Sequence, residues 1–289
     1  MFRRASLVVL TLVVFALGSA ASDRAGSSKA SSAAGGSSEY LALGDSIPFG
    51  YIAQAGFEYY NPENFVGYPD WTGIALGLDD ANASCPGETT GSFLSTSAPD
   101  NGCRLYRSVT HLHVDYGSAT TQMQYAINFL QQNGNTAVVT LQLGSDDVLL
   151  LEIACHGDPT CIANGIKQVY AQAAANMGTI LGNLRATGYN GPIVIVNYYS
   201  IDYSNQAITL LTSGLNQAIA SPAPLYGAVV ADVFSAFKAA AAPAGGKTCV
   251  AGLLNAKANG QNLLSCDIHP SQSGHKLITQ TVLQLIPAR

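Results

Sequence analysis

The sequence predicts an α/β fold in which a parallel sheet of about five strands is covered by helices on both faces. Three observations predict it. Short β-rich runs are apolar throughout rather than alternating, which marks strands buried on both faces. Stretches with helical periodicity separate these runs. A chain of 289 residues that is 48% hydrophobic has the material for one large domain of this class.

The elements follow in order. Tyr40-Leu41-Ala42-Leu43 reads as a strand that ends in the turn Gly44-Asp45-Ser46, and a short fifth strand is expected just before Asn82. Thr121 to Gln132 carries Met123, Ala126, Ile127 and Leu130 on one helical face. Ala137 to Leu143 is a second β-rich run, ending in Gly144-Ser145-Asp146-Asp147. The Ala-rich pattern from Ile162 to Leu184 is a long helix, and Pro192 to Val196 is a strand entered through Asn190-Gly191. Asn205 to Ile219 and Ser273 to Leu285 are amphipathic helices on either side of a weaker strand, Gly227 to Ala231. In such sheets ligands bind beyond the carboxyl ends of the strands, where the turns at Gly44 and Gly144 lie.

Charged residues make up 11% of the chain, the formal net charge is −5, and Lys and Arg form no runs. That excludes a nucleic-acid binder or a polybasic membrane binder. Arg3 and Arg4 precede an apolar stretch from Leu7 to Leu17, followed by Gly18, Ser19, Ala20 and Ala21. This is the pattern of an export signal, and about eleven apolar residues are too few to cross roughly 30 Å of hydrocarbon. Residues 22–38 hold seven serines, four alanines and three glycines and read as a flexible leader. The expected organisation is therefore a signal peptide at 1–21, a leader at 22–38 and one domain at 39–289, secreted and without a stable membrane anchor.

Six cysteines fit an oxidising compartment. They fall into sequential couples, Cys85–Cys103, Cys155–Cys161 and Cys249–Cys266, one of fifteen possible pairings. None of the spacings resembles the close knuckles of structural zinc. His111 and His113 lack a third ligand, and the pairs Asp79-Asp80 and Asp146-Asp147 lack the histidines a two-metal site would want. No metal and no cofactor is expected.

The usual nucleophile elbow G-x-S-x-G is missing from the sequence. Gly44-Asp45-Ser46-Ile47 follows the first strand instead, and Asp267-Ile268-His269-Pro270 stands near the end. A serine hydroxyl needs a base to take its proton, and imidazole is the commonest one. Between them lie Asn82-Ala83-Ser84-Cys85-Pro86-Gly87-Glu88, whose glycine N–H could approach a reacting centre, and the Gly144–Asp147 turn. With these four blocks in order, residues 39–287 resemble the SGNH or GDSL hydrolases, most closely the secreted, three-disulfide actinobacterial-type branch of lipases and esterases. Phe65-Val66-Gly67-Tyr68-Pro69 and Leu112-His113-Val114-Asp115-Tyr116 add to the likeness.

The resemblance implies a flavodoxin-like three-layer α/β/α fold and a monomer that hydrolyses lipid or acylated-carbohydrate esters through an acyl-enzyme. Ser46 would be the nucleophile and His269 the general base, with Ser46, Gly87 and the 146 position forming the oxyanion hole. This chain departs from the family pattern twice. Asp146 stands where the family has an amide donor, so it either stays protonated and donates its O–H, giving an acid-shifted optimum, or turns away. Cys266 occupies the usual acid position three residues before His269, which leaves Asp267 or a main-chain carbonyl to orient the ring. A non-catalytic binding protein for lipid or carbohydrate, with the same fold and a lost oxyanion donor, is the rival reading.

Two further features stand outside the motifs. Eight aromatic residues lie between Phe49 and Trp71, as a substrate wall or as loop packing. His275, on the closing helix, is expected to be exposed.

Overall fold

The computed structural model describes residues 38–53, 56–257 and 266–286, and Ser37–Arg289 forms one compact unit. The expected signal peptide and all but the last residue of the expected leader lie outside the described residues.

The chain begins with β1 (Glu39–Gly44), α1 (Ser46–Phe49), α2 (Tyr68–Leu76) and β2 (Asp79–Asn82). Next come α3 (Thr90–Leu94), α4 (Cys103–Val109), α5 (Gln122–Gln132), β3 (Val138–Gln142), α6 (Ser145–Ala154) and α7 (Pro159–Ala186). The last part holds β4 (Ile193–Val196), α8 (Gln206–Ala220), β5 (Val229–Ala231), α9 (Val233–Ala241), β6 (Leu254–Ala256), β7 (Cys266–Pro270) and α10 (Gln272–Leu283). Five strands form a parallel sheet in the order β2-β1-β3-β4-β5. Helices α3, α5, α6 and α8 gather around α7, while α2 and α9 pack on α10. The three layers and the flavodoxin-like strand order follow. β6 and β7 make a separate antiparallel pair.

Every residue of β3 and β4 is buried, as their unbroken apolar runs require. Leu41, Leu43, Val139, Leu141, Ile193 and Ile195 form the middle of the core. Long helix α7 presents Ala173, Met177, Ile180, Leu181 and Leu184 to it, a stripe at helical spacing. The switch point of this strand order lies between β1 and β3, so the two turns that leave these strands face one crevice.

Three disulfides join Cys85–Cys103, Cys155–Cys161 and Cys249–Cys266. Among the described residues, no helix is long and apolar enough to cross a membrane.

Candidate active site

The turn after β1 is built to approach β3 closely. Gly44 has φ +143°, and a Cβ there would lie 2.0 Å from the Gln142 carbonyl oxygen, so only glycine fits. Asp45 then caps α1, its Oδ1 accepting from the Ile47 amide at 3.0 Å. Its Oδ2 accepts from the Ser145 hydroxyl at 2.8 Å and from the Tyr198 hydroxyl. Burial pushes the Asp45 carboxyl up, and these donors partly oppose it. The side chain ahead of Ser46 is thereby fixed to the ends of β3 and β4.

Ser46 Oγ lies 2.9 Å from His269 Nε2, and His269 Nδ1 lies 2.8 Å from Asp267 Oδ2. The two-residue offset has a simple cause. β7 is extended, and alternate residues of a strand share a face, so positions 267 and 269 stand side by side. Cys266 points the other way, into its bridge with Cys249. Asp267 also accepts from the Ala53 and Ile268 amides. Burial raises the Asp267 carboxyl, but the hydrogen bond and charge of His269 together with these amides hold it below the ordinary value. The Tyr51 ring meets His269 edge-on at 4.9 Å, and Tyr199 donates to the Ile268 carbonyl at 2.6 Å.

Gly87 sits across the crevice with φ +85°, and a Cβ there would lie 2.3 Å from the Asn101 carbonyl oxygen. The Asn101 amide donates to the Gly87 carbonyl at 2.8 Å, and the Cys85–Cys103 bridge closes the same loop. Asp146, on the first turn of α6, is 3% exposed. Its Oδ1 accepts from Asn101 Nδ2 at 2.8 Å, while its Oδ2 is buried without a hydrogen-bond partner among the described residues. Burial, and then the neighbouring Asp45 charge, push this carboxyl far above the ordinary value. Asp147 plays a different part: it accepts from the Thr90 amide and hydroxyl and ties α6 to α3.

Ser46, Gly87, Asn101, Asp146 and His269 all line a cleft of ≈ 870 Å³. Its remaining walls are mostly apolar, with Leu105 and Val109 from α4, Val148 and Leu149 from α6, and Ile208 and Leu211 from α8. The aromatic segment divides between the two expected roles. Tyr51, Tyr59 and Tyr60 line the cleft, while Phe49 and Phe65 pack in a satellite cluster and Tyr68 belongs to the main core.

The other candidates have structural roles. His113 Nε2 meets the Phe49 carbonyl at 3.0 Å and its ring packs on Phe49, while His111 is exposed. His275 corrects the expectation of exposure. It is 3% exposed, and burial followed by the charge of His269 lowers its pKa to about 3. Its position shares the α10 face of Ile278, Thr279 and Val282, a periodicity legible in the sequence. Among the described residues, Cys85, Glu88 and Cys103 form the one group compact enough for a metal ion, and both sulfurs are already bound in a disulfide. Sequence reasoning missed Asn101 altogether. It is an ordinary loop asparagine, and nothing local in the sequence marks its contacts with Asp146 and Gly87.

The GDSL-like Lipase/Acylhydrolase family matches residues 42–277 of the chain. No curated protein matches the sequence. Among solved structures, phospholipase A1 from Streptomyces albidoflavus NA297 is similar at 17% identity with a TM-score of 0.58, over 87% of this chain and 100% of that one. A variant of an acetyl xylan esterase from Geobacillus stearothermophilus is similar at 15% identity with a TM-score of 0.52, over 87% of this chain and 97% of that one. Such low identities speak for the fold. The family match itself runs through both the serine turn and the histidine strand, and on that ground the chain belongs to the GDSL-like lipase/acylhydrolase family of carboxylic ester hydrolases.

Proposed function

We propose that the protein is an exported serine esterase that cleaves esters of apolar acyl chains through a covalent acyl-enzyme. The observation that carries the reading is the unbroken relay from Ser46 Oγ to His269 Nε2 at 2.9 Å and from His269 Nδ1 to Asp267 at 2.8 Å. Ser46 Oγ attacks the ester carbonyl carbon while its proton passes to His269 Nε2. The carbonyl oxygen takes up the negative charge, facing the amides of Ser46 and Gly87 and the Asp146 hydroxyl. Collapse of this intermediate breaks the bond to the leaving oxygen, which receives the proton from Nε2 and departs as the alcohol. Water then attacks the acyl-serine and gives a proton to the same nitrogen. The second collapse frees the carboxylic acid and returns that proton to Ser46. Asp267 keeps the ring in the tautomer with Nε2 free to accept, and stabilises the imidazolium.

Asp146 serves as a donor because it is held neutral in its buried setting. The apolar walls from α4, α6 and α8 favour an acyl chain over a sugar, which would want polar partners along its length. Three disulfides fit an oxidising compartment and thus export.

A fluorophosphonate probe and a series of p-nitrophenyl esters test the reading. The wild type is expected to label at Ser46 and to turn over octanoate with a higher kcat/KM than acetate, and Ser46→Ala is expected to do neither. A folded wild type that neither labels nor hydrolyses any ester is the outcome a binding protein would give.

A further inference from the structure

Asp146 and Asn101 form an acid–amide pair inside the cleft, and one oxygen of the acid is buried without a hydrogen-bond partner among the described residues. Asn101 Nδ2 donates to Asp146 Oδ1 at 2.8 Å. Oδ2 of the same carboxyl is buried and unpartnered, and it belongs to a residue that lines the cleft beside Ser46 and Gly87. A neutral carboxyl carries its proton on one oxygen. Donation from Asn101 occupies Oδ1 as an acceptor, so the proton resides on Oδ2. An unsatisfied buried donor of this kind is costly in the resting protein and valuable once a charged oxygen arrives.

Resting on the esterase reading, we propose that Asn101 is a positioning residue for the oxyanion hole: it anchors Asp146 Oδ1 so that the Oδ2 hydroxyl is aimed at the developing ester oxyanion. Asn101 is itself held in place. Its amide donates to the Gly87 carbonyl, and the Cys85–Cys103 bridge begins two residues later, so the loop that supplies one donor also orients another. The titratable groups around the pair are Asp45, Glu88 and Asp147, with His269 across the cleft. The three acids all disfavour an ionised Asp146 and so favour its hydroxyl form.

Asn101→Leu keeps the side chain's bulk and removes the anchor. It is expected to lower kcat by about tenfold or more, short of the 10²–10³ that losing a whole donor costs, while KM changes less than about twofold. The alkaline limb of its pH profile is expected to move upward, because the Asn101 N–H favours the ionised carboxyl. Asn101→Asp is expected to lose activity, and the exchange Asn101→Asp/Asp146→Asn to recover a large part of it. In the exchanged pair the acid donates and the amide faces the substrate. Fluorophosphonate labelling at Ser46 and the melting temperature establish that each variant is folded with an intact nucleophile. Unchanged kcat and an unmoved alkaline limb in labelled Asn101→Leu, or an exchange variant no better than Asn101→Asp, would overturn the proposal. A wild type that neither labels nor turns over would instead overturn the esterase reading beneath it.

Discussion

Asp267 reaches His269 because both lie on an extended strand, and on the esterase reading that contact orients the base. A carboxylate 2.8 Å from Nδ1, with two amides holding it, selects one tautomer of the ring. Asp267→Asn leaves the shape intact and presents an amide whose N–H favours the wrong tautomer. The expected loss in kcat is on the order of 10⁴-fold, as for a full triad acid. Steady-state kinetics with a short p-nitrophenyl ester check this, and a variant retaining more than about a tenth of the rate would assign the orienting role to a main-chain carbonyl. The blocks at Ser46, Gly87, Asp146 and His269 were legible as motifs because each pairs a turn glycine or proline with a reactive side chain. The choice between Asp267 and a carbonyl was not, since it depends on the backbone being extended across three residues. Asn101 was illegible for a related reason: 45 residues separate it from Asp146, and nothing local marks an asparagine as an anchor.

Between β2 and α3, the loop that presents Gly87 is braced by a buried acid. Glu88 accepts from the Ser92 hydroxyl and from Gln122 Nε2 at 3.2 Å, and Gln122 in turn clasps both the amide and the carbonyl of Gly44. One side chain thus links the loop to the start of α5 and the end of β1. Burial lifts the Glu88 carboxyl from 4.5 to about 7, a direction its hydrogen bonds oppose. Between those two values the folded chain holds a proton that the unfolded chain has released. This contribution to stability is therefore present at acid pH, falls as pH rises through the window, and is level above it. The full fall amounts to about 3 kcal/mol. Glu88→Gln removes the titration and keeps a hydrogen-bonding side chain, so it is expected to raise the melting temperature at about pH 8 and to leave it nearly unchanged at about pH 4. Melting curves across this range check the sign. His275 acts in the opposite sense: buried neutral, it costs stability as pH falls below the ordinary histidine value. At this scale the long elements were easy to read, because α7 and the sheet strands bury continuous stripes or both faces. The helix α6 was not, because Asp146 and Asp147 in its first turn look like loop residues and its apolar side chains serve the cleft rather than the core.

Across the molecule, the disulfides divide by what they restrain. Cys85–Cys103 closes the loop of Gly87 and Asn101, Cys249–Cys266 fastens the strand of Asp267 and His269, and Cys155–Cys161 spans only the junction of α6 and α7. From loop length alone, replacing the first or last by serines costs about 3 kcal/mol and the short one about 2 kcal/mol. Activity is expected to separate them further. The Cys85→Ser/Cys103→Ser and Cys249→Ser/Cys266→Ser variants should lose kcat at temperatures where they remain folded, and Cys155→Ser/Cys161→Ser should keep it. Kinetics below the melting point of each variant check this, and equal kcat in all three would remove the link between the bridges and the site.

The pairing of β6 with β7 rather than with the sheet has a consequence of its own. Ser46 follows β1 of the parallel sheet, whereas His269 lies on β7 outside it, tied in by the Cys249–Cys266 bridge, the Tyr199 hydroxyl and the Ala53 amide. On the proposed mechanism, competence therefore depends on how the outlying hairpin is registered against the sheet.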